Sequence, residues 1–223
     1  MGKLLQVAID GPASAGKSTV AKLVAHKLNY IYCDTGAMYR AVTWAAIHDG
    51  IRLDDEKSLG VLLHSINIRF IPSATGQRVF VNEKEVTEEI RMPEISNNVS
   101  TVAAQVPVRK SLTDLQQEIA NAGGIVMDGR DIGTTVLPDA EIKIFMVASV
   151  RERALRRYKE NIEKGIQTPL EVLEQEIEER DRKDSTRTIS PLSKAADAVQ
   201  LDTTNLTIEQ VVNKIMEIIE KKA

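Results

Sequence analysis

The chain has 223 residues, 43% hydrophobic and 27% charged, with a formal net charge of −3, which suits one domain carrying an insertion or two small ones. Collagen-like, mucin-like and wholly disordered classes are excluded by this composition, and the charge gives no long-range attraction for nucleic acid or an anionic membrane. The lone cysteine, Cys33, excludes a disulfide framework and a cysteine-based zinc site and suits a reducing compartment.

Apolar runs such as Ile142–Val150 stop far short of the roughly 20 residues of a membrane helix. Met1-Gly2-Lys3-Leu4-Leu5 runs into a strand-like segment without a signal-peptide core. A soluble, cytoplasmic protein is expected, without a nucleic-acid or membrane partner.

Leu4–Ile9 predicts a buried strand that meets a turn at Asp10-Gly11-Pro12. Val20, Leu23, Val24 and Leu28 fall at helical spacing and predict a helix over Lys17–Leu28. A second strand is expected at Tyr30–Cys33 and a second helix from about Gly36 to His48. From Ile66 to Val86, alternation of apolar and polar residues around Ser73-Ala74-Thr75-Gly76 predicts antiparallel strands. That pattern is foreign to its surroundings and marks an inserted subdomain at about 62–104.

Further strands are expected at Ile125–Met127, Ile142–Val147 and Ala198–Leu201, with a closing amphipathic helix at Thr207–Lys221. Strands alternating with helices indicate a parallel sheet covered on both faces. Between the last two strands, Arg151–Arg187 is rich in balanced charge and poor in apolar residues. It reads as a mobile helical lid of about 151–187.

Gly11-Pro12-Ala13-Ser14-Ala15-Gly16-Lys17-Ser18 satisfies Gly-x-x-x-x-Gly-Lys-Ser/Thr in full and sits between a predicted strand and a predicted helix. In that context the glycines let backbone N–H groups turn inward onto phosphate oxygens, and the helix presents its positive end to the same anion. Lys17 would bridge the β- and γ-phosphates, and the Ser18 hydroxyl would help hold Mg²⁺. The alternative is a glycine turn with a solvated lysine, which leaves the strand–loop–helix context unexplained.

The rest of the chain narrows the type of triphosphate chemistry. There is no Asn-Lys-x-Asp motif for guanine, and Asp128, the candidate magnesium acid, is followed by Gly129 rather than a water-activating Glu. Transfer to another acceptor is favoured over hydrolysis. Asp34-Thr35-Gly36-Ala37-Met38-Tyr39-Arg40 and Asp128-Gly129-Arg130-Asp131-Ile132-Gly133 both follow predicted strands, at the edge where open α/β sheets bind ligands. Arg40, Arg109, Arg130, Arg180 and Arg187 suit an anionic acceptor and the charge on a transferring phosphoryl group. Taken singly, each could equally be a solvated charge, and Arg130 could pair with the acids beside it.

His26, His48 and His64 lie along predicted helices without a carboxylate or Cys at ligand spacing, and read as surface or boundary residues. Cys33 and Trp44 read as packing residues. In Arg151-Glu152-Arg153-Ala154-Leu155-Arg156-Arg157 the acids offset the bases, so a solvated lid helix with some arginines reaching ATP is expected.

At these motifs the sequence resembles the bacterial cytidylate kinase family, P-loop enzymes that phosphorylate CMP and dCMP with ATP. The matching pieces are Ile9-Asp10-Gly11-Pro12, the 34–40 and 128–134 segments, Pro138-Asp139-Ala140, and Arg180-Asp181-x-x-Asp184-x-x-x-Arg187. The resemblance spans about residues 6–204. It implies a single α/β P-loop kinase domain over 1–223, with a five-stranded parallel sheet flanked by helices, an antiparallel-strand insert and a helical lid.

It also implies ATP as donor with Mg²⁺, bound by Gly11, Pro12, Ala13, Ser14, Ala15, Gly16, Lys17, Ser18 and Thr19, with Ser18 the candidate metal ligand. Lys17, Arg40, Asp128 and Arg130 carry the catalytic assignment. Ser100, Arg109 and Asp131 would face cytosine with Arg187 nearby. Thr35, Arg180 and Asp184 would hold the sugar, Arg40 and Arg130 would grip the acceptor phosphate, and Tyr39 joins this acceptor set. A monomer acting on small molecules is expected. Open alternatives are a kinase for another small phosphate acceptor, such as UMP, and a nucleotide-binding regulatory module without transfer.

Overall fold

Over residues 4–73 and 76–222, which the computed structural model describes, apolar runs ending in Gly or Asp form strands and the helical-period segments form helices. In chain order these are β1 (Gln6–Asp10), α1 (Lys17–Leu28), β2 (Ile31–Asp34), α2 (Thr35–His48), α3 (Glu56–Ser65), β3 (Ile68–Ser73), β4 (Gly76–Val81) and β5 (Lys84–Glu85). There follow α4 (Pro93–Ala103), α5 (Val106–Ala120), β6 (Ile125–Gly129), β7 (Ile142–Val147), α6 (Val150–Glu163), α7 (Leu170–Thr186), β8 (Val199–Asp202) and α8 (Ile208–Lys222). A 3-10 turn lies at Glu89–Arg91 and a π-helical turn at Ile132–Val136. Ala74-Thr75, the middle of the expected hairpin turn, lies outside the described residues.

The chain divides into two compact units, Met1–Tyr32 with Ala122–Ala223, and Cys33–Asn121. The first is built on the expected five-stranded parallel sheet, in the order β2-β6-β1-β7-β8. All five residues of β6 are buried, as expected of a strand covered on both faces. Val7, Ile9, Val126, Ile142, Ile144 and Met146 from the strands pack with Val20 and Val24 of α1 and with Val211, Val212, Ile215 and Ile219 of α8. The α8 positions fall at i, i+1, i+4 and i+8 and so form one face. Each large aliphatic side chain buried in this way stabilises the fold by about 1.5–3 kcal/mol. The consequence for function is one of register: Ile9 lies beside Asp128, and Asp10 beside Gly129 and Phe145. The carboxyl ends of β1 and β6 therefore sit together.

Helix ends are set locally. Asn29, at φ 55°, turns the chain out of α1, its N–H reaching back to the last turn. Asp34 caps α2 by accepting from the Ala37 N–H at 2.8 Å, and Asp55 caps α3 by accepting from the Ser58 N–H at 3.1 Å.

The second unit carries the expected antiparallel strands, ordered β3-β4-β5, with Ile68 opposite Val81 and Phe70 opposite Val79. Its helices bury Val42 and Ala46 of α2, Leu59 and Leu62 of α3, Val99 and Val102 of α4, and Val108 and Leu112 of α5. His26, His48 and His64 fall on α1, α2 and α3, and Trp44 stacks on His48 with ring centroids 5.0 Å apart. No helix of the described residues is long and apolar enough to cross a membrane.

Candidate active site

In the first unit β1 ends at Asp10 and the chain turns at Gly11, whose φ of 148° and contact with β7 both require glycine. A Cβ there would lie 2.0 Å from the Met146 carbonyl oxygen. The loop runs through Ser14 at φ 58° to Gly16 at φ 86°, which precedes α1 and offers no side-chain cap. An uncapped helix start with no acid in its first turn leaves backbone N–H groups and the positive dipole end for an anion. Lys17 is only 5% exposed, and its Nζ donates to the Pro12 carbonyl at 2.7 Å. Burial holds its ammonium well below the usual lysine range, and the charge of Arg130 pushes the same way against the pull of Asp128 and Asp10. A polyphosphate in this loop would compensate a charge that the apoprotein keeps at a disadvantage. Ser18 and Thr19 stand on the first turn of α1, Thr19 exposed.

Asp128, on β6, accepts from Ser18 Oγ at 2.8 Å and from Tyr32 Oη at 2.8 Å. Two residues on, Arg130 Nε donates to Asp184 Oδ2 of α7 at 2.9 Å and Nη1 to the Gly129 carbonyl at 3.3 Å. Asp131 Oδ1 accepts from Arg187 Nη2 at 3.2 Å, and Arg187 also donates to the Ser190 carbonyl from Nε at 2.8 Å. Arg180 is close enough for its charge to act on Lys17. The first unit thus gathers the phosphate loop, Asp128, Arg130, Asp131, Arg180, Asp184 and Arg187.

In the second unit Thr35 opens α2 and is buried. The Asp34 carboxylate that caps this helix also accepts from Arg40 Nη2 at 3.0 Å and lies 3.5 Å from Arg91 Nη2. Gly36 lets Arg40 fold back, since a Cβ there would stand 3.0 Å from Arg40 Nη1. The spacing of four does place the two on one side. Arg109 on α5 is 3% exposed; its guanidinium lies 5.3 Å from the Tyr39 ring centroid and Nη1 donates to the Ala103 carbonyl at 3.1 Å. Ser100 is buried on α4. This unit therefore joins Tyr39 to Arg109, and Arg40 to Asp34.

The profile of the cytidylate kinase family matches residues 7–221. The chain belongs to the cytidylate kinase family. The cytidylate kinase of Ligilactobacillus salivarius (strain UCC118) is 69% identical over 222 residues, covering 100% of this chain and 99% of that protein. That of Bacillus subtilis (strain 168) is 55% identical over 223 residues, covering 100% of both. Among solved structures, a shikimate kinase from Acinetobacter baumannii in complex with shikimate has a TM-score of 0.51 at 16% identity, over 98% of this chain and 94% of that one. The likeness is one of fold.

For a cytidylate kinase the Ser18–Asp128 pair has a clear chemical meaning. A hydroxyl and a carboxylate within hydrogen-bond distance, beside a loop built for phosphates, fit Mg²⁺, a hard cation held by few protein oxygens together with substrate phosphates.

Four residues that hold these groups and the phosphate loop in place escape sequence reasoning. Tyr32 and Arg91 hold Asp128 and Asp34 without belonging to any motif. Arg153 and Arg156 lie on the stretch where a solvated helix with some arginines reaching ATP is expected. Instead Arg153 is 4% exposed and donates to the carbonyls of Ala13 at 3.1 Å and Ala148 at 3.0 Å, with Asp181 Oδ2 2.6 Å from Nη2. Arg156 donates to the carbonyls of Ala15 at 3.3 Å and Thr203 at 2.8 Å. A loop that turns its N–H groups inward leaves carbonyls on its outer side, and buried carbonyls need donors. The spacing of three on α6, facing one loop, is the signal that could have found them.

Proposed function

We propose that the protein transfers the γ-phosphoryl group of ATP to CMP or dCMP, giving CDP or dCDP and ADP. The observation that carries this is a complete phosphate loop with a buried Lys17 beside Asp128 and Arg130, in a chain matched end to end by cytidylate kinases. The loop N–H groups and the α1 terminus hold the donor phosphates, and Lys17 follows the charge that moves onto the β–γ bridge as the bond breaks. Arg130 and Arg40 hold the acceptor phosphate in line, and no covalent enzyme intermediate is needed. Phosphoryl transfer of this kind rests on positioning and charge rather than on a strong base, which agrees with a site without histidine. Mg²⁺, which Ser18 and Asp128 would hold, neutralises the donor phosphates when bound.

Recognition of cytosine falls to Asp131, which can accept from the exocyclic amine, and to Arg109 and Ser100, which can donate to the ring nitrogen and carbonyl, with Arg187 supporting Asp131. Thr35, Arg180 and Asp184 hold the sugar, and Tyr39 belongs to the acceptor set. In this reading 62–104 is the acceptor-binding insert and 151–187 a lid of one kinase domain over 1–223, and lid closure over bound substrate limits hydrolysis. The protein is a monomer of the cytoplasm acting on small nucleotides, in line with a net charge of −3 and a buried lone cysteine.

The test is product identity. With ATP, CMP and Mg²⁺, anion-exchange chromatography should resolve CDP and ADP in equal amounts. Tight ATP binding without CDP would make the protein a nucleotide-binding module, and UDP formed from UMP at a comparable rate would reassign the acceptor.

A further inference from the structure

Asp10 closes β1, immediately before the phosphate loop and level with Gly129 of β6. Its carboxylate is 5% exposed. Oδ1 accepts from the Ile132 N–H at 2.8 Å and Oδ2 from the Gly133 N–H at 2.7 Å, one acceptor for each donor, across more than 120 residues of chain. These two N–H groups open the π-helical turn Ile132–Val136, in which the Asp131 carbonyl accepts from Thr135 at 2.9 Å and Val136 at 3.2 Å. Helical turns leave their first donors without internal partners, and Asp10 supplies both acceptors. The approach is close because residue 133 has no side chain. A Cβ at Gly133 would stand 3.2 Å from Lys143 Cδ and 3.4 Å from Asp10 Oδ2.

The residues just before the fastened pair are Arg130 and Asp131. A π-turn is rare and frequently sits at a functional site. Here it hands the chain from an acceptor-facing segment to the body of the fold. The carboxylate is also an expensive way to cap a turn: burial, with a smaller push from Asp131, raises its pKa to about 6 against the pull of the Gly133 and Ile132 N–H groups and of Lys17. A polar side chain with one acceptor could cap at less electrostatic cost. With one oxygen on each, the carboxylate fixes both N–H groups, and hence the direction in which the chain leaves Asp131.

We infer that Asp10 is a positioning residue, which through Ile132 and Gly133 fixes Arg130 and Asp131 for the acceptor nucleotide. The inference rests on the proposed acceptor role of those two residues. It sets one residue at the root of both sites, its backbone leading into the donor loop and its side chain aligning the acceptor loop.

The experiment compares Asp10→Asn, Gly133→Ala and Asp131→Asn in steady-state kinetics with CMP and with ATP varied, beside thermal unfolding and amide exchange of residues 132–136. Asp10→Asn keeps the shape but turns one acceptor into a donor. Gly133→Ala crowds the same turn, its Cβ meeting Lys143 Cδ at 3.2 Å and coming into contact with Asp10 Oδ2 at 3.4 Å. Each is expected to raise KM for CMP about tenfold, the weight of one charge-assisted hydrogen bond, with KM for ATP changed less than twofold and exchange faster across 132–136. Asp131→Asn tests the underlying reading independently. If it leaves CMP use unchanged, the acceptor assignment falls and the positioning role falls with it. If Asp131→Asn raises KM for CMP while the other two do not, the acceptor assignment stands and the positioning role is overturned. Equal losses toward ATP and CMP, in step with a lower Tm, would make Asp10 a support of the fold only and would equally overturn it.

Discussion

Two buried charges beside the phosphate loop, Lys17 at the start of α1 and Asp10 at the end of β1, are both held against their preference for water, and they make opposite experimental signatures available. Lys17 Nζ donates to the Pro12 carbonyl, so truncating this side chain removes a desolvated charge rather than core packing. Lys17→Ala should lower turnover by a hundredfold or more, the scale for one donor to a developing charge, while Tm stays level or rises. Turnover above a tenth of wild type, with circular dichroism unchanged, would remove Lys17 from the mechanism. Asp10 has a folded pKa of about 6 against 3.8 for the unfolded chain, so the folded state binds more protons between those values and stability falls as pH rises from about 4 to about 6. Asp131, Lys17 and the N–H groups of Ile132 and Gly133 are the groups that act on it. The stability of Asp10→Asn relative to wild type should therefore climb with pH through that window, by up to about 3 kcal/mol, and level off above it. Denaturant titrations at several pH values would show this, and a difference flat in pH would contradict the buried, ionising carboxyl. Lys17, Ser18 and Asp128 were legible because a phosphate loop and a strand-end acid are local patterns. Tyr32 and Arg91 were not, because their partners are set only when distant strands and turns come together.

At the level of elements, the sequence delivered α1 over its full span, whereas β2 starts at Ile31 rather than Tyr30. The reason is local: the Tyr30 N–H closes onto the Ala25 carbonyl at 2.8 Å, as part of the helix end. Likewise Ala198 is held in a turn by the Ala195 carbonyl at 3.0 Å, and β8 begins one residue later. No helix was predicted over α3, α4 or α5. In α4, Ile95, Val99 and Val102 do carry the period, but Asn, Ser, Thr and Val around them are weak helix formers, and tertiary burial decides. The α6–α7 pair shows the converse. Its small apolar contact of Ala154, Leu173 and Ile177 is reinforced by Arg153–Asp181 at 2.6 Å and Arg151–Glu174 at 3.0 Å. Arg153→Met should cost about 2–3 kcal/mol, because Asp181 and two carbonyls lose a donor, and should raise KM for ATP through a loosened loop. An unchanged KM for ATP would make Arg153 a tie between helices alone. Amide exchange over 151–187 should slow most when ATP and CMP are bound together, with residues 4–9 protected throughout. Equal protection of 151–187 with and without ligands would make the pair a rigid subdomain and not a lid.

For the molecule as a whole, the parallel sheet was legible because near-continuous apolar runs alternate with helical segments, and the antiparallel strands because their period differs. The division at Cys33 and Asn121 was not, since it follows packing among helices that the sequence does not announce. In the proposed reaction ADP forms only as the acceptor is phosphorylated, so its release should depend on both nucleotides. The most direct measurement is coupled ADP release from ATP with CMP, dCMP, UMP, AMP and GMP in turn, and with no acceptor. Rapid ADP formation is expected with CMP and dCMP, and a rate without acceptor at least a hundredfold lower. ADP released equally fast without acceptor, or equally well with every monophosphate, would contradict a cytosine-directed phosphoryl transfer.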